Sequence, residues 1–285
     1  MEKVFVLYNP FSNNNRGLET AQVLKATSYG KELEFIDITT IEDYKTFFSN
    51  LSSTDQVIVC GGDGTLNKFI NNTKGIEFRN EIQYMATGTG NDFYKEVSEG
   101  VSTPIRINEY IKNLPICVIN GEEYNFIDGV GYGIDGYCCE VGDELKTKST
   151  KQINYTAIAI KGLLFHYKPT SAKIIVDGVE HNFKNVWLAP VMKGKYYGGG
   201  MIPCPNQNRK DETGKLSVLV FCGKSKLNTL MIFPSIFKGE HVKKTKYVTV
   251  LEGYDITVSY DQPKPAQIDG ETVKGVSSIH CYAKK

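Results

Sequence analysis

The five residues from Gly61 to Thr65 read Gly-Gly-Asp-Gly-Thr, a combination of residue types that could bind phosphate. They follow the apolar stretch Gln56–Val59, which predicts a buried strand, and precede Leu66–Asn72, which predicts a helix. Glycines let the backbone approach a phosphate, and the first N–H groups of a helix have no partner within it. Asp63 is unusual in such a turn, because a carboxylate repels phosphates unless a cation lies between them. The turn therefore predicts a site for a nucleotide phosphate together with a metal ion.

A second glycine turn lies at Gly88–Gly90 and is followed by Asp92. It too follows a predicted strand, Ile82–Ala86, and opens a predicted helix, Asn91–Val97. Taken alone, it is equally well explained as an ordinary helix cap. Because the carboxyl ends of parallel strands meet at one edge of a sheet, we expect Asp63 and Asp92 to face the same crevice. Two carboxylates that converge on a triphosphate would suit Mg²⁺, which binds through a few carboxylates, waters and phosphate oxygens.

Polar residues near the two ends of the sequence complete the candidate set. Asn9 follows the first predicted strand, where a polar side chain could bind phosphate or ribose, although asparagine is also common in turns. Near the other end, Asp269 and Gly270 predict a hairpin turn. Asp269 and Glu271 would also supply the carboxylates that a general base requires, provided that the turn points into the crevice. Both interpretations of this turn stay open.

The first 120 residues alternate strand and helix patterns, which is typical of βαβ units and predicts a parallel sheet with right-handed crossovers. The predicted strands are Val4–Tyr8, Leu33–Ile38, Gln56–Cys60 and Ile82–Ala86, and the predicted helices are Gly17–Tyr29, Ile41–Leu51, Leu66–Thr73 and Asn91–Val97. This order places both glycine turns after strands, where ligands bind in open α/β sheets.

The pattern then changes to strands that follow one another with turns between them. The predicted strands are Ile116–Ile119, Glu123–Ile127, Ala172–Val176, Asn185–Leu188, Leu216–Phe221, Tyr247–Leu251 and Asp255–Ser259. One predicted helix, Ile153–His166, interrupts them with an apolar stripe. We therefore predict an α/β N-terminal domain with a parallel sheet (residues 1–120) and a C-terminal antiparallel β-sandwich domain (residues 121–285). Whether the last strand returns to the first domain is left open.

The composition is ordinary for a soluble globular protein, with 41% hydrophobic and 23% charged residues. A formal net charge of +1 gives no electrostatic case for a nucleic-acid partner. No apolar run is long enough to span a bilayer, and Met1–Tyr8 predicts a first strand rather than a signal peptide. Seven cysteines without a Cys-x-x-Cys pair favour reduced thiols in a cytoplasmic protein, and four scattered histidines argue against a zinc site.

With these features in this order, the chain resembles the diacylglycerol kinase catalytic-domain family, most closely its bacterial soluble lipid kinases. The matching motifs are Asn9-Pro10, Gly61–Asn67, Gly88–Phe93 and Asp269–Glu271, and two weaker ones are Asn125–Asp135 and Gly198–Met201. The Gly-Gly-Asp-Gly-Thr run alone is shared with NAD kinases and, loosely, with phosphofructokinases. The run Gly88–Phe93 narrows the resemblance to the lipid kinases.

The resemblance implies a nucleotide-binding α/β domain and a β-sandwich, with the active site in the cleft between them. It implies an ATP- and Mg²⁺-dependent kinase that acts on a lipid alcohol. The ATP-binding residues would be Asn9, Thr40, Gly61, Gly62, Asp63, Gly64, Thr65, Asn67, Gly88 and Thr89. Asp63 and Asp92 would organise the Mg²⁺ ion, partly through water. Glu271 would accept the proton of the substrate hydroxyl, with Asp269 supporting it or taking that role.

Two stretches depart from the family pattern. Relatives often carry a structural metal on a loop of the form Asp-Gly-x-Leu-Asp, whereas Lys210–Ser217 has extra residues and lacks the second aspartate. Asp211 and Glu212 are the acidic residues that could take its place. After Asn9-Pro10, residues Asn13–Asn15 stand where relatives usually carry a Ser/Ala-Gly pair, which could alter how the β-phosphate is held.

Several alternatives stay open at this point. An NAD kinase or other small-molecule kinase would share the fold, and a nucleotide-binding regulatory protein without turnover would share the phosphate site. A lipid substrate also requires transient contact with a membrane surface, and so a peripheral association is expected. The helix Ile153–His166, with Lys146, Lys148, Lys151 and Lys161 nearby, would lie either at that surface or in the core. The oligomeric state is open, a homodimer included.

Overall fold

The structure is a computed structural model that describes residues 2–26, 30–98, 100–101, 103–148 and 155–284. The chain divides into two compact units, Met1–Lys112 and Asn113–Lys285. Each unit has its own buried apolar cluster. No helix among the described residues is long and apolar enough to cross a membrane.

The first unit contains a five-stranded sheet of order β2-β1-β3-β4-β5. Its strands are β1 (Lys3–Tyr8), β2 (Glu32–Asp37), β3 (Gln56–Gly61), β4 (Glu81–Ala86) and β5 (Ile105–Arg106). The first four pair in parallel, and β5 is an antiparallel edge strand. The predicted parallel sheet and its four strands are therefore confirmed.

The helices of the first unit lie between these strands. They are α1 (Ser12–Asn15), α2 (Gly17–Ala21) continued by the 3₁₀ segment Gln22–Ala26, the 3₁₀ turn Ile38–Thr40, α3 (Tyr44–Ser49), α4 (Asp63–Asn72) and α5 (Asp92–Val97). The first predicted helix is only partly regular, and its last three residues, 27–29, lie outside the described residues. Helix α3 begins later than predicted because the Asp43 carboxylate accepts hydrogen bonds from the N–H groups of Lys45 and Thr46. Helix α4 begins earlier than predicted and takes in Asp63.

The second unit is built on an antiparallel sheet of ten strands. They are β6 (Ile116–Ile119), β7 (Glu122–Asn125), β8 (Gly129–Tyr132), β9 (Thr170–Val176), β10 (Val179–Leu188), β11 (Val191–Met192), β12 (Leu216–Cys222), β13 (Val248–Gly253), β14 (Asp255–Ile268) and β15 (Glu271–Tyr282). Their order is β7-β6-β15-β14-β8-β11-β12-β10-β9, with β13 added to β12. The predicted antiparallel β-rich fold is confirmed.

Strand β14 pairs with different neighbours along its two halves. Ile256–Tyr260 pairs with β9, and Ala266–Ile268 pairs with β8, with irregular register between the two halves. Because β9 and β8 also belong to one continuous path of strands, β14 closes that path on itself. The sequence predicted only its first half, since Pro263 and Pro265 are typical of a loop. The prolines instead lie where the ladder is interrupted.

The helices of the second unit are less visible in the sequence. They are α6 (Ile134–Lys148), α7 (Tyr155–Lys161) continued by the π turn Gly162–His166, α8 (Lys226–Ile232), and the 3₁₀ segments Phe233–Lys238 and Glu240–Lys243. Helix α6 was not predicted, because Gly136 and Gly142 lower its helix propensity. Both glycines allow neighbouring atoms to approach the helix closely. A Cβ on Gly136, for example, would lie 2.1 Å from the Pro265 carbonyl oxygen. The predicted helix Ile153–His166 is confirmed from Tyr155 onward, and residues 153 and 154 lie outside the described residues.

Candidate functional site

The turns that follow the first four strands lie at one edge of the parallel sheet. Tyr8 is in register with Asp37 on one side and with Cys60 on the other, and Gly61 is in register with Ala86. The strand ends therefore bring together the turns predicted to bind phosphate. Those turns carry the predicted residues Asn9, Thr40, Gly61, Gly62, Asp63, Gly64, Thr65, Gly88 and Thr89.

The two glycine turns touch each other through their backbones. A Cβ placed on Gly88 would lie 2.5 Å from the Gly62 Cα, and one placed on Gly62 would lie 3.1 Å from the Gly88 Cα. The Thr87 N–H donates a hydrogen bond to the Gly61 carbonyl at 2.8 Å. This close approach leaves no room for a side chain on Gly88, so the glycine is required by packing as well as by any ligand.

The Asp63 carboxylate binds the first backbone groups of helix α5. It accepts hydrogen bonds from the N–H of Asp92 at 3.1 Å and from the N–H of Phe93 at 3.4 Å. These N–H groups have no acceptor within the helix, and the positive end of the helix dipole favours a carboxylate there. Asp63 and Asp92 are thus brought together as expected, but the contact joins the Asp63 side chain to the Asp92 backbone. The Asp92 side chain is 5% exposed, and its Oδ1 lies 3.6 Å from Lys95 Nζ.

The sequence indicated Asn91 or Asp92 only as an ordinary helix cap and indicated no role for Thr87. Asn91 does precede α5, but its side chain makes no capping hydrogen bond to the helix. Asn91 has φ 51° and fastens the second glycine turn, because its Oδ1 accepts the Gly88 N–H at 3.0 Å and its Nδ2 donates to the Gly88 carbonyl at 2.7 Å. An asparagine just before a helix, at the end of a glycine turn, is the signal that could have indicated it. The Thr87 hydroxyl is buried and has no hydrogen-bond partner among the described residues.

Asn9 connects the turn after β1 to the turn after β3. Its Nδ2 donates to the Thr65 hydroxyl at 2.8 Å, and its Oδ1 accepts the Phe11 N–H at 3.0 Å. Thr65 and Asn67 are buried at the start of α4. Thr40 and Thr89 are exposed.

The short segment α1 is not a regular right-handed helix, because Asn13–Asn15 take a left-handed backbone conformation. Their φ angles are 49°, 57° and 63°. Asparagine tolerates this region better than most residues with a Cβ, which suits an asparagine run to this backbone. The residue types in this stretch therefore fit the left-handed conformation that they adopt.

The residues at this edge fit a nucleotide phosphate that arrives with a metal ion. Thr87 offers a buried hydroxyl of the kind that a bound oxyanion or water would satisfy. Across the described part of the chain, no three His, Cys, Asp or Glu side chains are grouped as a metal cage. Mg²⁺ commonly uses only one or two carboxylates with phosphate oxygens and waters, so Asp63 and Asp92 would hold it together with the nucleotide.

The Asp269–Gly270 turn in the second unit is a two-residue hairpin, as predicted. Its φ angles are 45° and 95°, and Ile268 pairs with Glu271 across it. Two positive φ angles are the mark of a type I′ turn, which Asp-Gly favours. Glu271 is half-buried and begins β15.

The Asp269 carboxylate is buried and binds backbone rather than facing solvent. It accepts the N–H of Ile127 at 2.8 Å, of Asp128 at 2.9 Å and of Gly129 at 2.9 Å. In return, the Asp269 N–H donates to the Gly129 carbonyl at 3.1 Å. The side chain is only 5% exposed. Asp269 therefore fixes the hairpin against the segment that enters β8.

A buried ion pair holds the other side of that segment. Arg209 Nη2 lies 2.5 Å from Asp128 Oδ1, with both side chains almost fully buried, and Arg209 Nη1 donates to the Ile127 carbonyl. The N–H groups of Lys193 and Gly194 donate to the Asp128 carbonyl at 2.9 and 2.8 Å. Sequence reasoning missed Arg209, because a single arginine in a polar loop carries no local signal.

Asp211 and Glu212 lie in the loop before β12. The Asp211 carboxylate accepts hydrogen bonds from the Thr213 N–H and hydroxyl, which hold its pKa below the usual value. Glu212 is exposed. The same loop is fastened by Gln207, whose Nε2 donates to the carbonyls of Lys193 and Lys215. A metal site at Asp211 and Glu212 stays a prediction.

Asp135 lies in the weaker motif Asn125–Asp135 and is a buried acid. Its carboxylate accepts the Gly136 N–H at 3.0 Å and the Tyr197 hydroxyl at 3.2 Å. Burial outweighs these two hydrogen bonds and raises the pKa of Asp135 to about 6.

Comparison with known proteins relates both units to kinases. Residues 3–116 match the family described as diacylglycerol kinase catalytic domain, and residues 128–280 match the family described as YegS C-terminal NAD kinase beta sandwich-like domain. A diacylglycerol kinase of Mycobacterium tuberculosis (strain ATCC 25618 / H37Rv) is 25% identical over 253 residues, which cover 85% of this chain and 80% of the relative. A diacylglycerol kinase of Bacillus subtilis (strain 168) is 22% identical over 284 residues, covering 95% and 90%.

A solved structure shares the fold. It is a diacylglycerol kinase from Bacillus anthracis str. Sterne, with a TM-score of 0.61 and 19% sequence identity. The match covers 99% of this chain and 94% of that chain. At this level of identity the likeness concerns the fold alone.

Replacing Gly88 with alanine should destabilise the first unit. The new Cβ would lie 2.5 Å from the Gly62 Cα, and a backbone atom cannot easily give way. We expect a loss of about 1–3 kcal/mol in the free energy of unfolding, measured by urea denaturation. Gly62→Ala is the matched control, because its Cβ would lie 3.1 Å from the Gly88 Cα. Equal losses for both variants would contradict the packing argument.

Asp269→Asn should cost stability, whereas Glu271→Gln should not. An asparagine turns one of its two terminal atoms into a donor, which would oppose a buried backbone N–H. We expect Asp269→Asn to lower the free energy of unfolding by about 1–3 kcal/mol. Thermal and urea unfolding of both variants measure this, and an Asp269→Asn variant as stable as wild type would refute the anchoring role.

Asp135 should make the protein less stable as the pH rises. Its pKa is about 6 in the folded state against 3.8 for the ordinary side chain, so its contribution is complete below 3.8 and is lost as the pH rises through 6. The total loss is about 3 kcal/mol, of which about 1.4 kcal/mol falls between pH 5 and pH 8. Asp135→Asn should therefore gain stability over wild type between these two pH values in urea unfolding. The exposed Asp261→Asn is the control, and an identical pH dependence for Asp135→Asn and wild type would disprove the assignment.

Proposed function

The chain belongs to the diacylglycerol kinase catalytic-domain family, as its motifs predicted, and we propose that it is an ATP- and Mg²⁺-dependent kinase that phosphorylates a hydroxyl group of a lipid. Membership in a kinase family supports an enzyme that transfers phosphate, and the lipid acceptor is the finer part of the proposal. The observation that carries most weight is the pair of interlocked glycine turns, with the Asp63 carboxylate on the N–H groups that begin α5.

The first unit would bind ATP at the carboxyl edge of its sheet. The glycine turn Gly61–Thr65 and the start of α4 supply backbone N–H groups for the phosphates. Asn9 holds this turn through the Thr65 hydroxyl. Bound ATP and Mg²⁺ supply the γ-phosphoryl group and neutralise its charge. Asp63 and Asp92 are the carboxylates that would hold the ion, with Thr40, Asn67, Gly88 and Thr89 as further proposed contacts of the nucleotide.

The second unit would supply the proton acceptor. We assign proton transfer to Glu271, which would take the proton of the acceptor hydroxyl as its oxygen attacks the γ-phosphate. Asp269 would act as a positioning residue, because its carboxylate already accepts three backbone N–H groups. Arg209 and Asp128 would support the same segment from the other side.

A phosphotransfer screen tests the proposal directly. The full chain is incubated with labelled ATP and Mg²⁺ and offered diacylglycerol, a sphingoid base, phosphatidylglycerol and NAD, and the products are separated by chromatography. We expect the label on one of the lipids. Label on NAD alone would favour the NAD kinase alternative. ATP binding without ADP formation on any acceptor would favour a nucleotide-binding regulatory protein.

Glu271→Gln should leave ATP binding nearly intact and lower turnover by about 10²–10⁴-fold, because glutamine cannot accept the hydroxyl proton. Binding is measured by calorimetry and turnover by ADP release on the lipid acceptor found in the screen. The exposed Glu180→Gln is a matched control and should behave as wild type. An unchanged rate in Glu271→Gln would remove the residue from the mechanism.

Asp92→Ala should weaken the Mg²⁺-dependent activity, because one of the two proposed carboxylate ligands is lost. The concentration of Mg²⁺ that gives half-maximal activity should rise. Lys95→Gln is the matched control, since it removes the cation beside Asp92 and keeps the carboxylate. A wild-type Mg²⁺ titration in Asp92→Ala would argue against Asp92 as a ligand.

A further inference from the structure

Two helical segments of the second unit present large apolar side chains to solvent. On the π turn that continues α7, Phe165 is 73% exposed, and on α8 both Leu227 and Met231 are 65% exposed. Leu227 and Met231 are four residues apart and so share one face of their helix. Ile160, on α7, is 38% exposed.

The exposed side chains form one surface because the two segments are in contact. Lys226 Nζ donates a hydrogen bond to the Leu164 carbonyl at 2.9 Å. Phe165 and Leu227 are the next residues in sequence on either side of this bond. The buried faces of both segments also join a single apolar cluster. We name the set Ile160, Phe165, Leu227 and Met231 the α7–α8 surface.

Within the two segments that carry the α7–α8 surface, the charged residues have one sign. Residues 155–169 and 223–239 contain no aspartate or glutamate. The exposed lysines of these two segments are Lys161, Lys168, Lys224, Lys226 and Lys238. An apolar centre with a cationic rim complements an anionic, partly apolar partner. A two-fold dimer through this surface would place two lysine-rich rims against each other, which disfavours a second copy of the chain as the partner.

We propose that the α7–α8 surface docks the protein on a bilayer that contains anionic phospholipid. The proposal rests on the proposed function, because a lipid acceptor resides in a bilayer. The apolar side chains enter the boundary between headgroups and acyl chains, and the lysines contact anionic headgroups. Each lysine near such a membrane strengthens binding by about fivefold.

Vesicle co-sedimentation of the full chain tests the docking surface without any turnover. The vesicles contain phosphatidylcholine alone, or phosphatidylcholine with phosphatidylserine, and neither contains a lipid that the phosphotransfer screen offers as an acceptor. We expect binding to the anionic vesicles and roughly tenfold or more weaker binding to the neutral ones. The variant Phe165→Gln/Leu227→Gln/Met231→Gln should lose roughly tenfold or more in affinity for the anionic vesicles. Val179→Gln, which removes a side chain 58% exposed on β10, is the matched control and should bind as wild type.

A gain-of-binding variant guards against misfolding of the triple variant. Met231→Trp should bind the anionic vesicles more tightly, because tryptophan favours the membrane interface. Its emission should shift to the blue on binding, and the shift can be assigned to the added tryptophan because Trp187 is already buried. Wild-type binding by the triple variant, no binding of the wild-type chain to anionic vesicles, or an unshifted emission would each overturn the proposal. The proposal would also be overturned if the wild-type chain is a dimer, the triple variant is a monomer, and both bind the vesicles equally well. Because no step here needs ATP, failure of the kinase assay leaves this test intact.

Discussion

The candidate site of the first unit depends on the hydrogen bonds between the Asp63 carboxylate and the first N–H groups of α5. The carboxylate accepts backbone N–H groups that have no acceptor within their own helix. Because Asp63 is itself the first residue of α4, one side chain fixes the start of one helix against the start of the next. The contact between Gly62 and Gly88 lies beside this bond and leaves no room for a side chain. A carboxylate inside a glycine turn thus has a structural role before any ligand binds.

In the second unit, the Asp269 carboxylate likewise accepts backbone N–H groups that would otherwise be buried without a partner. Irregular backbone that is buried needs partners for its N–H and carbonyl groups. The entry to β8 receives them from the Asp269 carboxylate on one side and from Arg209 on the other. Buried arginine and aspartate are costly unless paired, and the pair of Arg209 and Asp128 meets that condition. The hairpin that carries Glu271 is therefore anchored by its own first residue.

The parallel sheet could be predicted because each strand is an apolar run followed by a turn signal, as at Gly61 and Gly88. The same signals led to the correct family. The second half of β14 could not be predicted, because Pro263 and Pro265 are typical of a loop. Only pairing with β8 makes this segment a strand. The role of Asp63 could be predicted only in part. Its closeness to Asp92 followed from the geometry of a parallel sheet, whereas its hydrogen bonds to backbone N–H groups could be found only in the structure. The partnership of Arg209 with Asp128 leaves no trace in the sequence, because the two residues are 81 positions apart.

A crystal structure with Mg²⁺ and a non-hydrolysable ATP analogue would show whether the interlocked glycine turns form the nucleotide site, as we propose. We expect phosphates against Gly61–Thr65, the ion beside Asp63 or Asp92, and an Asp63 carboxylate that still accepts the Asp92 and Phe93 N–H groups. A nucleotide bound away from these turns, or a site that forms only after Asp63 leaves α5, would contradict it.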